Sequence, residues 1–261
     1  MGRVDTPGFV TATGLPVPAI TAAQMREVDR IAVEEFGLEL LQMMENAGRN
    51  LAGNALEMLA TTAGEVTVLA GGGGNGGGGL CCTRHLHNRG LCVNLLLDRA
   101  PGALGAAAAA QLRVLQAAGV HPLEPAQAET VLRRAGLVVD ALIGYSLRGA
   151  PRGRAAELIA LCNAHAARVL ALDVPSGLDA TTGDAPGVVI RAERTLTLAL
   201  PKTGLLHTPG DLYLADIGIP PEVYQRLGLA ITSPFAERYW VRLERNAITR
   251  AEHSSNTSGP F

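Results

Sequence analysis

The stretch Val66-Thr67-Val68-Leu69-Ala70-Gly71-Gly72-Gly73-Gly74-Asn75-Gly76-Gly77-Gly78-Gly79-Leu80-Cys81-Cys82 decides the fold class. A short apolar run empties into eight glycines and one asparagine, and apolar residues resume at Leu80. The order strand, glycine loop, helix brings bare backbone N–H groups to a helix N-terminus, where phosphate binds well. With almost no side chains, the loop can hold an anion but can do little proton chemistry of its own. Gly71-x-Gly73-x-x-Gly76 matches the dinucleotide fingerprint, although a run this rich matches almost any glycine pattern. No Lys-Ser/Thr follows the glycines, which excludes a Walker A loop. A tight turn needs only a few glycines, and each extra one adds to the entropy lost on folding. Phosphate binding is therefore expected ahead of a simple turn.

Outward from this stretch the same alternation continues. Apolar runs at Cys92–Leu97, Leu137–Ala141, Val169–Leu172, Thr195–Leu200 and Leu212–Ala215 read as further strands. Helical patterns lie between most of them, at Leu80–Asn88, Gly105–Ala118, Ala126–Arg134 and Arg154–His165. The strand runs are continuous rather than alternating, as expected where both faces are buried. Strand alternating with helix predicts an α/β fold with a mostly parallel sheet covered on both sides. Two helices precede the first strand. Thr21 and Gln24 form a capping box, and Leu40, Met44, Ala47, Leu51, Ala55 and Met58 share a helical face. One domain is expected over residues 20–232, after a flexible leader at 1–19 and before a tail at 233–261 whose end is disordered.

Composition limits the function classes. Hydrophobic residues make up 48% of the 261 positions and charged residues 18%, ample for a buried core. Aromatics are only 3%, so the core is aliphatic. A net charge of −2 gives no pull toward nucleic acid or an anionic membrane. No uninterrupted apolar stretch is long enough to span a bilayer, and the first residues lack the apolar centre of a signal peptide. Cys81, Cys82, Cys92 and Cys162 form no CxxC and no metal-ligand spacing. They read as reduced, buried thiols of a cytoplasmic protein.

Parallel sheets place ligands at the carboxyl ends of their strands, so the residues there carry the functional reading. Asp98 ends the second strand of the alternation, where a dehydrogenase would hold a ribose hydroxyl, but Asp98-Arg99-Ala100-Pro101-Gly102 is equally a good turn. Asp140 sits in an apolar run and must be paired, hydrogen-bonded or bound to a cation. Asp173 ends the next strand, where burial can raise a carboxyl pKa and suit it to proton transfer. Ser176, a turn later, can offer its hydroxyl to a cation or substrate, or cap a turn. Asp140 and Asp173 occupy equivalent points of two strands that can be neighbours.

These residues together carry a resemblance. Ile20–Asp29, Met44–Gly48, Val138–Gly144, Leu172–Asp179 and Leu200–Leu206 resemble signature segments of the NAD(P)H-hydrate epimerase family, also called the YjeF N-terminal domain. The resemblance spans about Ile20 to Leu229. It implies a Rossmann-like three-layer αβα fold with a mostly parallel central sheet, a homodimer, and interconversion of the R and S forms of hydrated NADH or NADPH. By position, Asn75, Asp140 and Ser176 would bind a potassium ion, and Asp173 would be the acid/base. Gly74, Asn75, Gly76, Gly77 and Gly78, the loop Gly144, Tyr145, Ser146, Leu147, Arg148, Gly149 and Ala150, and Asp173 would bind substrate. A separate NAD(P)H-hydrate dehydratase would be the partner enzyme. Where the family loop is typically Asn-Asn-Gly-Gly-Asp, this chain has Gly74, Asn75, Gly76, Gly77 and Gly78. Where the next loop is usually Gly-Thr-Gly-Leu, it has Gly144-Tyr145-Ser146-Leu147. Two alternatives stay open: a non-catalytic nucleotide-binding or interaction module, and an NAD-dependent dehydrogenase.

Overall fold

The computed structural model describes residues 8–60 and 64–245. Among them a single nine-stranded sheet runs in the order β2-β1-β9-β8-β7-β6-β5-β3-β4. Strands β3 (Glu65–Ala70), β4 (Val93–Leu97), β5 (Ala135–Ala141), β6 (Val169–Leu172), β7 (Arg194–Leu198) and β8 (Asp211–Ala215) are the runs read from sequence. All their pairings are parallel. Helices α2 (Leu40–Leu59), α3 (Gly74–His87) and α4 (Ala106–Ala117) share one apolar cluster, while α5 (Ala128–Arg134) and α6 (Gly153–His165) share another built on different strand residues. The three-layer α/β expectation holds. Helix α1 (Ala22–Glu34) packs with α7 (Pro221–Arg226), and Thr21 and Gln24 make the expected capping box.

The sheet reaches past both boundaries drawn from sequence. Residues expected in the leader form β1 (Gly8–Thr11) and β2 (Pro16–Pro18), with Phe9 and Val17 each only 1% exposed. The tail supplies β9 (Trp240–Arg245), antiparallel to both β8 and β1. Hydrogen bonding drives this: β8 would otherwise present an unpaired edge. Pro16 and Pro18 fall on the outermost strand, where a missing N–H is tolerated. Residues 1–7 and 246–261, where a flexible start and a disordered end were expected, lie outside the described residues.

The glycine run also differs from expectation. Helix α3 begins at Gly74, not at Leu80, so most of the presumed loop is helix. Glycine is a poor helix former, but here tertiary packing decides. A Cβ on Gly76 would lie 1.7 Å from the Gly71 carbonyl oxygen, and one on Gly79 would lie 2.5 Å from Ala141 Cβ. A Cβ on Gly77 would meet Met44 at 2.7 Å. Gly48 of α2 allows the same close approach to Cys81. Nearby, Glu45 bonds Arg84, His85 and Cys81, clamping α2 onto α3. Three cysteines are buried as expected, but Cys92 is exposed. No helix among the described residues is long and apolar enough to cross a membrane.

Candidate active site

Strand order places the site. The chain leaves β3 for β4 on one side and returns to β5 on the other, so the crevice between β3 and β5 is the switch point where open α/β sheets bind ligands. Gly71 to Gly73 leave β3 there, and α3 starts with no side-chain cap on Gly73. The free N–H groups of its first turn therefore face the crevice as an anion-binding end.

Two cavities meet at this point. One, of about 250 Å³, is lined by Met44, Gly74, Asn75, Tyr145, Asp173 and Lys202 among others. The other, of about 710 Å³, runs past Gly72 and Gly73 to Asp98 and three arginines, Arg99, Arg148 and Arg152. Gly74, Asn75, Gly144 and Ser146 line both. Of the remaining residues expected to touch substrate, Gly78 and Tyr145 line the smaller cavity, and Leu147, Arg148 and Ala150 the larger. Gly76 and Gly77 are used instead against the Gly71 backbone and Met44, and Gly149 adopts a positive φ of 69° in the loop. Asp98 is taken up by a two-pronged pair with Arg99, both bonds 2.8 Å long.

Asp140 and Asp173 do sit on neighbouring strand ends, since β5 and β6 are paired. They are used differently. Asp140 is fully buried and accepts from the Ser176 hydroxyl at 2.6 Å, the Ser176 N–H at 2.8 Å and the Leu142 N–H at 3.2 Å. Burial outweighs these bonds and pushes its pKa up to about 6. Ser176 in turn accepts from the Ile143 N–H at 2.8 Å, so the pair ties the end of β5 to the turn after β6. Neither residue lines either of these two cavities.

Asp173 faces the smaller cavity. Its backbone has a φ of +69°, and Val174 N–H donates to the Leu172 carbonyl across it at 2.9 Å. That is a γ-turn of the rare positive-φ kind, a strained conformation. The next strand ends the same way: Ala199 has a φ of +62°, and Leu200 N–H donates to the Leu198 carbonyl at 2.7 Å. The Asp173 carboxylate accepts from the Tyr145 N–H at 2.8 Å and from the Lys202 ammonium. Lys202 is fully buried and also donates to the Leu198 carbonyl at 2.8 Å.

Lys202 is the residue that sequence reading missed as chemistry. Among 22 Lys and Arg residues it is the single lysine, so the signal was present. Arginine serves everywhere else, while a compact ammonium, whose proton is more readily given up than a guanidinium's, is kept for a buried contact with Asp173. Tyr145 completes the group. Its ring lies 5.8 Å from the Lys202 ammonium, and its hydroxyl donates to Asp29 of α1. Burial raises the Asp29 carboxyl above its ordinary value, opposed by that hydrogen bond. Burial, then the Asp29 charge, raises the Tyr145 hydroxyl.

Comparisons with known proteins bear on the family and the fold. Residues 40–204 match the family described as YjeF-related protein N-terminus. An NAD(P)H-hydrate epimerase of Dehalogenimonas lykanthroporepellens is 53% identical over 239 residues, covering 90% of this chain and 96% of that one. An NAD(P)H-hydrate epimerase of Rhodopirellula baltica is 35% identical, covering 82% of this chain and 90% of its own. A Salinibacter ruber protein named bifunctional NAD(P)H-hydrate repair enzyme is 38% identical, and the match spans 43% of that longer chain. The crystal structure of the yeast protein ynu0 superposes with a TM-score of 0.76 at 21% identity, covering 87% of this chain and all of that one, which supports the fold. The chain belongs to the YjeF-related N-terminal family.

Proposed function

We propose that this chain is an NAD(P)H-hydrate epimerase that interconverts the R and S forms of hydrated NADH or NADPH. The observation that carries the reading is the buried Asp173–Lys202 pair at the floor of a cavity continuous with the uncapped N-terminus of α3. The hydrated cofactor carries a hydroxyl at C6 of its nicotinamide ring. Proton donation from the Asp173–Lys202 pair to that hydroxyl releases water, and the lone pair of the ring nitrogen forms the iminium. Water then returns to C6 on the other face, its spare proton is taken up, and the π electrons go back to nitrogen. The smaller cavity takes the hydrated ring. The first turn of α3 and the larger cavity, with Arg99, Arg148 and Arg152, take the diphosphate and adenosine.

A potassium ion fits the donors present. Asn75, Asp140 and Ser176 offer only oxygen among their acceptors, the chemistry of a hard cation rather than a thiophilic one. Asn75 Nδ2 is buried with no hydrogen-bond partner, and turning the amide over would present its oxygen there instead. These three residues would hold the ion, which when bound supplies a fixed positive charge beside the buried Asp140. A homodimer, a cytoplasmic location and a separate dehydratase belong to the same reading. The last is in keeping with the longer bifunctional relative, of which this chain spans under half.

The assay supplies mixed R and S hydrates together with an S-specific dehydratase and follows loss of the R form. Acceleration over the spontaneous rate is expected in potassium buffer; no acceleration at high protein concentration sinks the epimerase reading. A binding module without turnover is the second reading, favoured by the absent side chains at Gly74 and Gly78. It predicts saturable nucleotide binding in the same samples with no loss of the R form.

A further inference from the structure

The smaller cavity holds a second proton-handling pair besides Asp173 and Lys202. Tyr145 enters from the loop after β5, and Asp29 enters from α1. A phenol in a surface loop has no need to be buried against a carboxylate, since burial without a partner disfavours both groups. Here each is the other's partner, and both line the cavity. The charged groups around the phenol are Asp29 and Arg26 of α1, Asp173 at the end of β6, and Lys202 beyond β7. Arg26 does not line the cavity.

Inversion at C6 has a stereochemical demand that one acid/base does not meet. The hydroxyl leaves one face and water arrives on the other, so proton transfer is needed on both faces. Asp173 and Lys202 are tied to each other and to the sheet, a pair fixed in place. We propose that Tyr145, backed by Asp29, is the second acid/base of the epimerisation and serves the opposite face of the ring. This rests on the epimerase reading and deepens it.

The proton and electron count closes. In this scheme the Asp173–Lys202 pair serves the S form: it gives a proton to the C6 hydroxyl of the S hydrate, the C6–O bond breaks, water leaves, and the nitrogen lone pair forms C6=N1. A water on the other face attacks C6, the C6=N1 π pair returns to N1, and the water's spare proton goes to the Tyr145 oxygen as the Tyr145 proton passes to Asp29. Asp29 is partly exposed and releases that proton to bulk water, while the Asp173–Lys202 pair regains one. The reverse reaction runs the same transfers backwards. In this scheme Tyr145 is a catalytic residue and Asp29 a positioning residue that accepts its proton.

The experiment uses the full chain, the pure S hydrate and heavy-oxygen water, and corrects for the spontaneous rate. Wild type yields labelled R product. Tyr145→Phe is expected to lose epimerisation by about 100-fold or more. It should keep KM within about threefold, and keep exchange of the label into the starting S form within about tenfold, because one face is still served. Asp29→Asn, which keeps a partner for the hydroxyl but cannot take its proton, should lose epimerisation with Tyr145→Phe. Tyr145→Phe at the wild-type rate overturns the proposal. So does parallel loss of epimerisation and exchange, which would make Tyr145 a shaping residue only. Asp29→Asn at full rate removes the pair. A wild type without acceleration is a separate result: it ends the epimerase reading itself.

Discussion

The two walls of the smaller cavity are built on opposite plans. The α3 wall, after β3, is nearly stripped of side chains, and its glycines bring helix, strand and neighbouring helix into contact. The wall after β6 and β7 carries a buried ion pair on two strand ends held in γ-turns. Backbone does the work on the first wall and side chains do it on the second. Substitutions should therefore register in different currencies: stability on the glycine wall, turnover on the charged one.

The largest expected effect lies on the charged wall. Asp173→Ala should cut turnover by about 10²- to 10⁴-fold, the range for losing a general acid/base. It should also destabilise the fold by about 3–5 kcal/mol, because Lys202 is left charged and unpaired in the interior. Asp173→Asn tolerates the positive φ and should lose comparable activity with a smaller drop in melting temperature. Thermal melts beside the coupled assay separate the two effects, and an active Asp173→Asn enzyme would break the contrast between the walls.

On the glycine wall the next effect is steric. Gly76→Ala must displace the Gly71 carbonyl and should cost about 3 kcal/mol, measured by urea unfolding. Gly73→Ala, three positions earlier, meets nothing within 4 Å and should stay within about 0.5 kcal/mol. Equal effects at the two positions would remove the packing account of the run.

A smaller gain tests whether binding on this wall is incomplete. A side chain at Gly74 has room, with Met44 Cε the nearest atom at 4.0 Å, whereas one at Gly78 presses Leu172 at 2.9 Å. Gly74→Asn should therefore raise kcat/KM by about three- to tenfold, one hydrogen bond's worth. Adding Gly78→Asp should help only if Leu172 gives way. No change in either variant would mean that the glycine wall needs no side chains for binding.

The smallest effect is a pH slope. Asp29 has its folded pKa raised above the unfolded value, chiefly by burial. The folded protein then keeps a proton that the unfolded chain has released, so this contribution to stability is complete below the unfolded pKa and is lost as pH rises through the folded one. Urea midpoints of wild type should fall relative to Asp29→Asn across that acidic window. Parallel curves would show that Asp29 is not desolvated as the geometry implies.

What the sequence disclosed follows the same division. The six parallel strands were legible because strands buried on both faces appear as unbroken apolar runs. Asp140 and Asp173 stood out because carboxylates inside such runs need partners, and their strands are neighbours, although the register sets Asp140 opposite Ala171 rather than Asp173. The start of α3 at Gly74 was not legible, because glycine's weak helix propensity is overridden there by contacts with Met44 and Ala141 that only the fold creates. Strands β1 and β2 escaped notice because they are very short and carry glycine or proline, and β9 because its apolar residues Trp240, Val241 and Leu243 are interrupted by Arg242 and Glu244. Lys202 was legible by count rather than by context.

That count has a practical consequence. A protease that cuts only after lysine finds one target bond in the 261-residue sequence, and folding hides it beside Asp173. Reagents that label side-chain amines meet the same closed door. Cleavage or labelling at Lys202 is therefore a built-in clock for opening of the reaction chamber, readable by mass alone and silent for motion anywhere else in the chain.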